Sequence, residues 1–191
     1  MEENLFIIAG CNGAGKTTAA YNIMPHVLNV AQFVNADEIA RGLSPFNPES
    51  VAIEAGRIML NRIDELLEQN KSLTIETTLA TRSYARLIQK AHQKGYNVIL
   101  LYFWLNSPEL AIERVATRVR NGGHNIPADI IRRRYNKSIC NLFRIFLPIC
   151  DVWNIYDNSD NPRKAIASGV GKDILKITDI DIFNQLKNYA R

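Results

Sequence analysis

Five short runs along the chain are mostly apolar: LFIIA (5–9), AQFVN (31–35), SLTIE (72–76), NVILLYFWL (97–105) and DVWNIYD (151–157). Runs of this length without strict alternation suit strands of a parallel sheet covered by helices on both faces. Between them the apolar positions recur at helical spacing. Val51, Ala55, Ile58, Met59, Ile63, Leu66 and Leu67 outline an amphipathic helix of about five turns. Tyr84, Leu87, Ile88 and Ala91 outline a second, with Gly95 where a C-terminal cap belongs. Ser107-Pro108-Glu109 reads as N-cap, first-turn proline and first-turn acid of a third. In a fourth, Ile131, Tyr135, Ile139, Leu142 and Phe146 form an apolar seam.

This alternation predicts an α/β fold of three layers, a five-stranded, mainly parallel sheet flanked by helices, as one domain over residues 1–191. No repeat, low-complexity tract or linker divides it. The loops NGGHNIP (121–127) and DNSDNP (157–162) fall beyond the ends of predicted elements, where open α/β sheets bind ligands.

Composition narrows the class. With 47% apolar and 22% charged residues, the 191-residue chain can bury a core, which excludes a disordered or fibrous protein. Cys11, Cys140 and Cys150 have no metal-type spacing and point to a reducing cytosol rather than a disulfide framework. The first apolar run is too short to span a bilayer and lacks the features of an export leader, so a cytoplasmic location without membrane association is expected. The net charge is only +4, yet Arg114, Arg118, Arg120, Arg132, Arg133 and Arg134 crowd one stretch, which suits a local anionic ligand.

The anion is suggested by GCNGAGKT, directly after the first strand. Gly10, Gly13 and Gly15 let the backbone curl so that the amides from Cys11, Asn12 and Ala14 onward point inward, and Lys16 adds a charge toward the β and γ phosphates. Thr17, followed by Thr18, opens the next helix, where its hydroxyl can ligate magnesium and the helix N-terminus favours an anion. All fixed positions of the P-loop motif are met, between a strand and a helix. A guanine-recognition element is missing, because Asn136-Lys137-Ser138-Ile139 has isoleucine where aspartate is required. There is no signature helix of a transporter ATPase either, which leaves a small-kinase layout.

In that layout Asp37, after the second strand, is a general base or an orienting carboxylate for an acceptor hydroxyl. The alternative is an N-cap or first-turn acid. Glu76 ends the third strand, followed by Thr77; it can hold metal through water or accept hydrogen bonds from substrate hydroxyls. Arg114 and Arg118 share a helix face next to the Gly122-Gly123 loop, which can hinge a lid spanning about 107–146. Arg132, Arg133 and Arg134 point in different directions around their helix, so they cannot all serve one phosphate. His124 either contacts phosphate or caps the following helix.

The set GCNGAGKT, NADEIARGLSPFNPE, IETTLATRSY, RVRNGGHNIPADIIRRRYNKS and YDNSDNP, in this order over about residues 4–170, resembles the zeta toxin family, in particular its short single-domain members. The resemblance implies a P-loop NTPase fold with an arginine-rich helical lid, related to chloramphenicol phosphotransferase and nucleoside-monophosphate kinases. It implies ATP and Mg2+ as cofactors, and as acceptor the amino-sugar hydroxyl of UDP-N-acetylglucosamine. Carried over by position, Lys16 and Thr17 handle phosphates and magnesium, Asp37 is the catalytic base, and Glu76 with Thr77 meets the sugar nucleotide. Arg118 and Arg134 are the expected lid arginines, Arg133 is placed beside the nucleotide, and Asn158 lies by the adenine. An antitoxin protein is the partner implied.

Two other readings fit the residues. One is a P-loop kinase for a different acceptor, such as a nucleoside, an antibiotic or a nucleic-acid end. The other is a nucleotide-dependent module gripping RNA or an acidic protein, but the arginine stretch offers no aromatic platform for bases beyond Tyr135, so a nucleic-acid partner is not expected.

Overall fold

The computed structural model describes residues 3–23, 30–123 and 125–190, and His124 lies outside that set. Its elements in chain order are β1 (Asn4–Gly10), α1 (Lys16–Ile23), β2 (Phe33–Val34), α2 (Ala36–Leu43), α3 (Ala52–Glu68), β3 (Leu73–Thr77), α4 (Tyr84–Gln93) and β4 (Asn97–Trp104). There follow α5 (Pro108–Arg120), α6 (Ala128–Asn141), β5 (Val152–Asp157), β6 (Lys164–Val170), β7 (Asp173–Ile177) and α7 (Ile180–Tyr189). The sheet order is β2-β3-β1-β4-β5-β6-β7. The first five of these strands run parallel, and β6 and β7 close the far edge antiparallel.

The sheet therefore has seven strands where the apolar runs predict five. The two extra strands, KAIASGV and DILKI, form a hairpin at the edge. Every residue of β7 is exposed and β6 is built largely from small side chains, so neither carries the continuous apolar run that marks a strand buried on both faces. Four of the five anticipated strands behave as that pattern requires, Leu5, Ile7, Ile8, Leu73, Ile75, Val98, Leu100, Trp153 and Ile155 all being essentially inaccessible, while the run 31–35 yields only the two-residue edge strand Phe33–Val34 with Phe33 half-buried.

Helix patterning translates into packing except at Val51, which precedes α3 in a 3-10 turn and is half-buried, and at Ile58. Ala55, Met59, Ile63, Leu66 and Leu67 bury their face of α3, but Ile58 is 38% exposed and stands outside the seam. Ser107 caps α5, its Oγ accepting the Leu110 N–H at 3.2 Å. All five residues of the fourth seam are buried. Tyr135 on α6 donates to the Leu105 carbonyl at 2.6 Å, and Asn141 Nδ2 donates to the Leu79 carbonyl at 2.7 Å. The inner face of α6 is thus part of the core, while Arg133 and Arg134 overhang a cleft.

Candidate active site

Sheet order creates the site. Because β3 lies between β2 and β1, the carboxyl ends of three strands stand side by side. Glu76 is level with Ile8, two residues before the phosphate loop, and Ile75 is level with Val34, so Asn35 emerges next to Glu76. Four side chains from three separate segments meet there. Thr17 Oγ1 donates to Glu76 Oε2 at 2.8 Å, Asn35 Nδ2 donates to the same oxygen at 2.8 Å, and Lys16 Nζ lies 3.7 Å from Glu76 Oε1. Lys16 Nζ also donates to the Cys11 carbonyl at 3.0 Å. Lys16 and Glu76 are 7% and 9% exposed, a charge pair beneath the part of the cleft lined by Thr17 and Asn35.

The loop itself has the curled form that a run of inward amides needs: Gly10, Gly13 and Gly15 all have positive φ. At Gly15 a side chain is also excluded by contact, since a Cβ there would lie 2.7 Å from Asn158 Nδ2. Asn158 uses that nitrogen to donate to the Ala14 carbonyl at 2.8 Å, which clips the loop after β5 onto the phosphate loop. The Cys11 thiol is pushed up to about 11 by burial, which the Lys16 charge only partly offsets, so it stays protonated at neutral pH.

Asn35 is the N-cap of α2, its side chain accepting the Asp37 N–H at 2.8 Å. Asp37 is consequently a first-turn residue rather than the cap, and its exposed carboxylate lines the cleft. Tyr84 lies beneath it; burial raises the phenol's pKa, the hydrogen bond with Thr77 opposes this, and the Asp37 charge adds to it. Thr77 is buried and its Oγ1 accepts the Leu79 N–H at 3.1 Å, so that oxygen also holds the turn after β3.

The opposite wall is α5 and α6. Arg114, Arg118, Arg133 and Arg134 line it, facing Asp37, Glu38, Arg41 and Glu49 across a cavity of about 1140 Å³. Their employment differs. Arg114 donates from both terminal nitrogens, to the Asn158 carbonyl at 2.8 Å and the Ser159 carbonyl at 2.7 Å. Arg134 Nη1 reaches Asn12 Oδ1 at 3.4 Å, and Arg132 turns away to Glu109 on the outside. Arg118 packs over Gly123, where a Cβ would lie 2.5 Å from Arg118 Cγ and 2.8 Å from its carbonyl oxygen. Of the expected positions, then, Lys16, Thr17 and Glu76 converge, while Thr18, Asp37, Arg118, Arg133 and Arg134 line the cleft.

Asn35 and the double role of Arg114 are not read from the sequence. An asparagine directly before a helix with Asp37 and Glu38 in its first turn is an N-cap signature that identifies the former. No local signal announces the latter, because its acceptors are backbone carbonyls 44 and 45 residues away.

A phosphate loop at the carboxyl edge of a parallel sheet, with a carboxylate across the cleft and arginines overhanging it, defines a nucleotide-dependent phosphotransferase of the P-loop kinase class. The chain belongs to the zeta toxin family, whose model matches residues 2–162. It is 31% identical over 135 residues to an uncharacterized protein of Haemophilus influenzae, covering 71% of this chain and 94% of that one. Among solved structures it is similar to AvrRxo1-ORF1 in complexes with AvrRxo1-ORF2, one with sulphate ions at a TM-score of 0.78 and one with ATP at 0.77. Each is 17% identical and covers 97% of this chain; this chain spans 63% of the AvrRxo1 chain's length. It is also similar to the PezAT toxin–antitoxin system of Streptococcus pneumoniae, with a TM-score of 0.68 and 20% identity over 97% of this chain and 78% of that one. No helix among the described residues is long and apolar enough to cross a membrane.

Proposed function

We propose that the protein transfers the γ-phosphate of ATP to a hydroxyl of a small molecule in the cytoplasm, with UDP-N-acetylglucosamine as the acceptor. The observation that carries the reading is the pairing of the Lys16–Glu76–Thr17 cluster beneath the cleft with Asp37 and the arginines on facing walls. In this reading the acceptor oxygen attacks the γ-phosphorus as the bond to the β-bridging oxygen breaks. The hydroxyl proton passes to Asp37, and ADP leaves. Lys16 and the loop amides hold the phosphates in line, while Arg118 and Arg134 offer donors to the charge on the transferring group.

Among the described residues no cluster of three or more carboxylate, histidine or cysteine side chains can cage a metal by itself. The Thr17 hydroxyl beside the Glu76 carboxylate is instead a hard-oxygen pair that fits Mg2+ shared with nucleotide phosphates. When bound there, the ion would neutralise phosphate charge. The cleft exceeds the roughly 300–1,000 Å³ of single small-molecule sites, which suits two substrates side by side.

A second acceptor class is favoured by one observation. The wall formed by α2 and the turn before α3 presents Asp37, Glu38 and Glu49 with a single arginine, Arg41, which pairs with Glu38 at 3.4 Å. That charge suits a neutral or amine-bearing polyol, such as a nucleoside or an aminated antibiotic, better than a diphosphate. Incubation with ATP, Mg2+ and UDP-N-acetylglucosamine, followed by mass spectrometry, should give a product one phosphate heavier. An unchanged mass there with a phosphorylated aminated antibiotic or nucleoside would move the assignment to the second class.

The family and the two-protein complexes of AvrRxo1 and PezAT support an antitoxin partner for this chain. Co-purification with the product of an adjacent reading frame is the test.

A further inference from the structure

Asn35 lies outside the phosphate loop, yet it is hydrogen-bonded both to Glu76, the carboxylate that takes the Thr17 hydroxyl of that loop, and to the backbone of Asp37 on the acceptor wall. It is 7% exposed at the end of β2. Its Nδ2 donates to Glu76 Oε2, the oxygen that also takes the Thr17 hydroxyl, and its Oδ1 accepts the Asp37 N–H, each at 2.8 Å. Resting on the kinase reading above, we propose that Asn35 is a positioning residue that sets the Asp37 base in register with the phosphate site, through this one amide.

The chemistry of the side chain is specific to the task. A primary amide presents a donor and an acceptor from the same short stem, so one group can satisfy a carboxylate and a helix N-terminus together. Aspartate would keep the N-cap acceptor and set a second carboxylate oxygen against Glu76, at hydrogen-bond distance, where like charges repel. Serine would keep a cap and lose the reach to one of the two partners. Alanine would lose both and leave the α2 N-terminus uncapped.

The geometry needs such a tie because Asp37 is exposed at the cleft mouth, on a two-turn helix that follows a strand of only two residues. Glu76 sits on a strand paired along its whole length with β1. Fastening the short, weakly paired element to the firm one holds the proton acceptor a fixed distance from the γ-phosphate. A shift of about 1 Å in such a constellation costs on the order of 100-fold in rate.

A double-mutant cycle tests this: Asn35→Ala, Asp37→Asn and the pair, assayed in single turnovers with radiolabelled ATP and the acceptor found for the wild type. If Asn35 acts through Asp37, Asn35→Ala lowers kcat by about 10- to 100-fold in the wild-type background, with KM for ATP and acceptor within about threefold. In the Asp37→Asn background the same change costs less than about twofold. Asn35→Asp, which retains the cap but sets like charge against Glu76, should lower the thermal midpoint and, in protein still folded by circular dichroism at the assay temperature, lose kcat about tenfold or more. Equal losses in both backgrounds, a loss confined to KM for ATP, or Asn35→Asp within about threefold of wild-type kcat would each overturn the proposal. Failure of the wild type to phosphorylate any acceptor would sink the kinase reading first, and this inference with it.

Discussion

In the proposed reaction Asp37 and Lys16 stand at opposite ends, and substitution separates the duties assigned to them. Asp37→Asn keeps the volume and removes the proton acceptor, so transfer should fall by about 100- to 10,000-fold while ATP affinity by titration calorimetry stays within a few-fold. Lys16→Ala removes a buried cation that faces Glu76 and the loop carbonyl, and should weaken ATP binding and abolish transfer together. Full activity in Asp37→Asn would end the general-base assignment. At this scale the chemistry of the loop is legible in the sequence because each motif position has its own geometric reason. The partners of Glu76 are not, since 59 residues separate it from Thr17 and 41 from Asn35. A carboxylate ending a buried strand is visible as an oddity; only the strand order says whom it serves.

The elements divide similarly. Helices α3 to α6 follow their apolar seams, and α5 begins where its cap is written. Ser107→Ala should cost about 1 kcal/mol of stability in a urea titration, with transfer unaffected in fully folded protein. The junction of α5 with the loop after it is more exacting. A methyl group at position 123 would meet the backbone and stem of Arg118, so Gly123→Ala must displace one or the other. A loss of kcat by about tenfold or more, with a thermal midpoint shifted by a few degrees at most, would mark Arg118 as the casualty. Unchanged kinetics would show that Arg118 does not reach the transferred group. What the residue pattern could not foretell is the β6–β7 hairpin, because β7 is exposed along its whole length and β6 buries only a short stretch around Ile166 and Ala167 built largely from small residues.

For the molecule as a whole, the groups with displaced pKa values point one way. Burial holds the Cys11 thiol up at about 11 and the Cys150 thiol at about 12, and raises the phenols of Tyr84, Tyr96 and Tyr102. Each of these groups is neutral when protonated and releases its proton more readily from the unfolded chain. Stability is therefore unaffected by them below the ordinary thiol value of 9.0 and declines as pH climbs toward 11. Thermal melts between pH 8 and 11 should show a midpoint that drops from about pH 9 onward. A flat profile would mean that these thiols are open to solvent. The fold class was readable from the alternation of runs and seams, whereas the division of the cleft into an acidic and a basic wall emerges only when α2 and α5 face one another.

Arg114 carries a consequence for traffic through that cleft. Its two bonds to the carbonyls of Asn158 and Ser159, with Asn158 fastened in turn to Ala14, stitch the middle of α5, the loop after the last parallel strand and the phosphate loop into one ring. The ring side therefore opens only by breaking several hydrogen bonds at once, whereas α2 is a two-turn helix after a strand of two residues, so that side is expected to open the more readily. The phosphorylated acceptor is expected to depart first and the spent nucleotide second. In product-inhibition kinetics ADP should compete with ATP, and the phosphorylated acceptor should not compete with ATP. Arg114→Ala should loosen the ring and make the order of departure random.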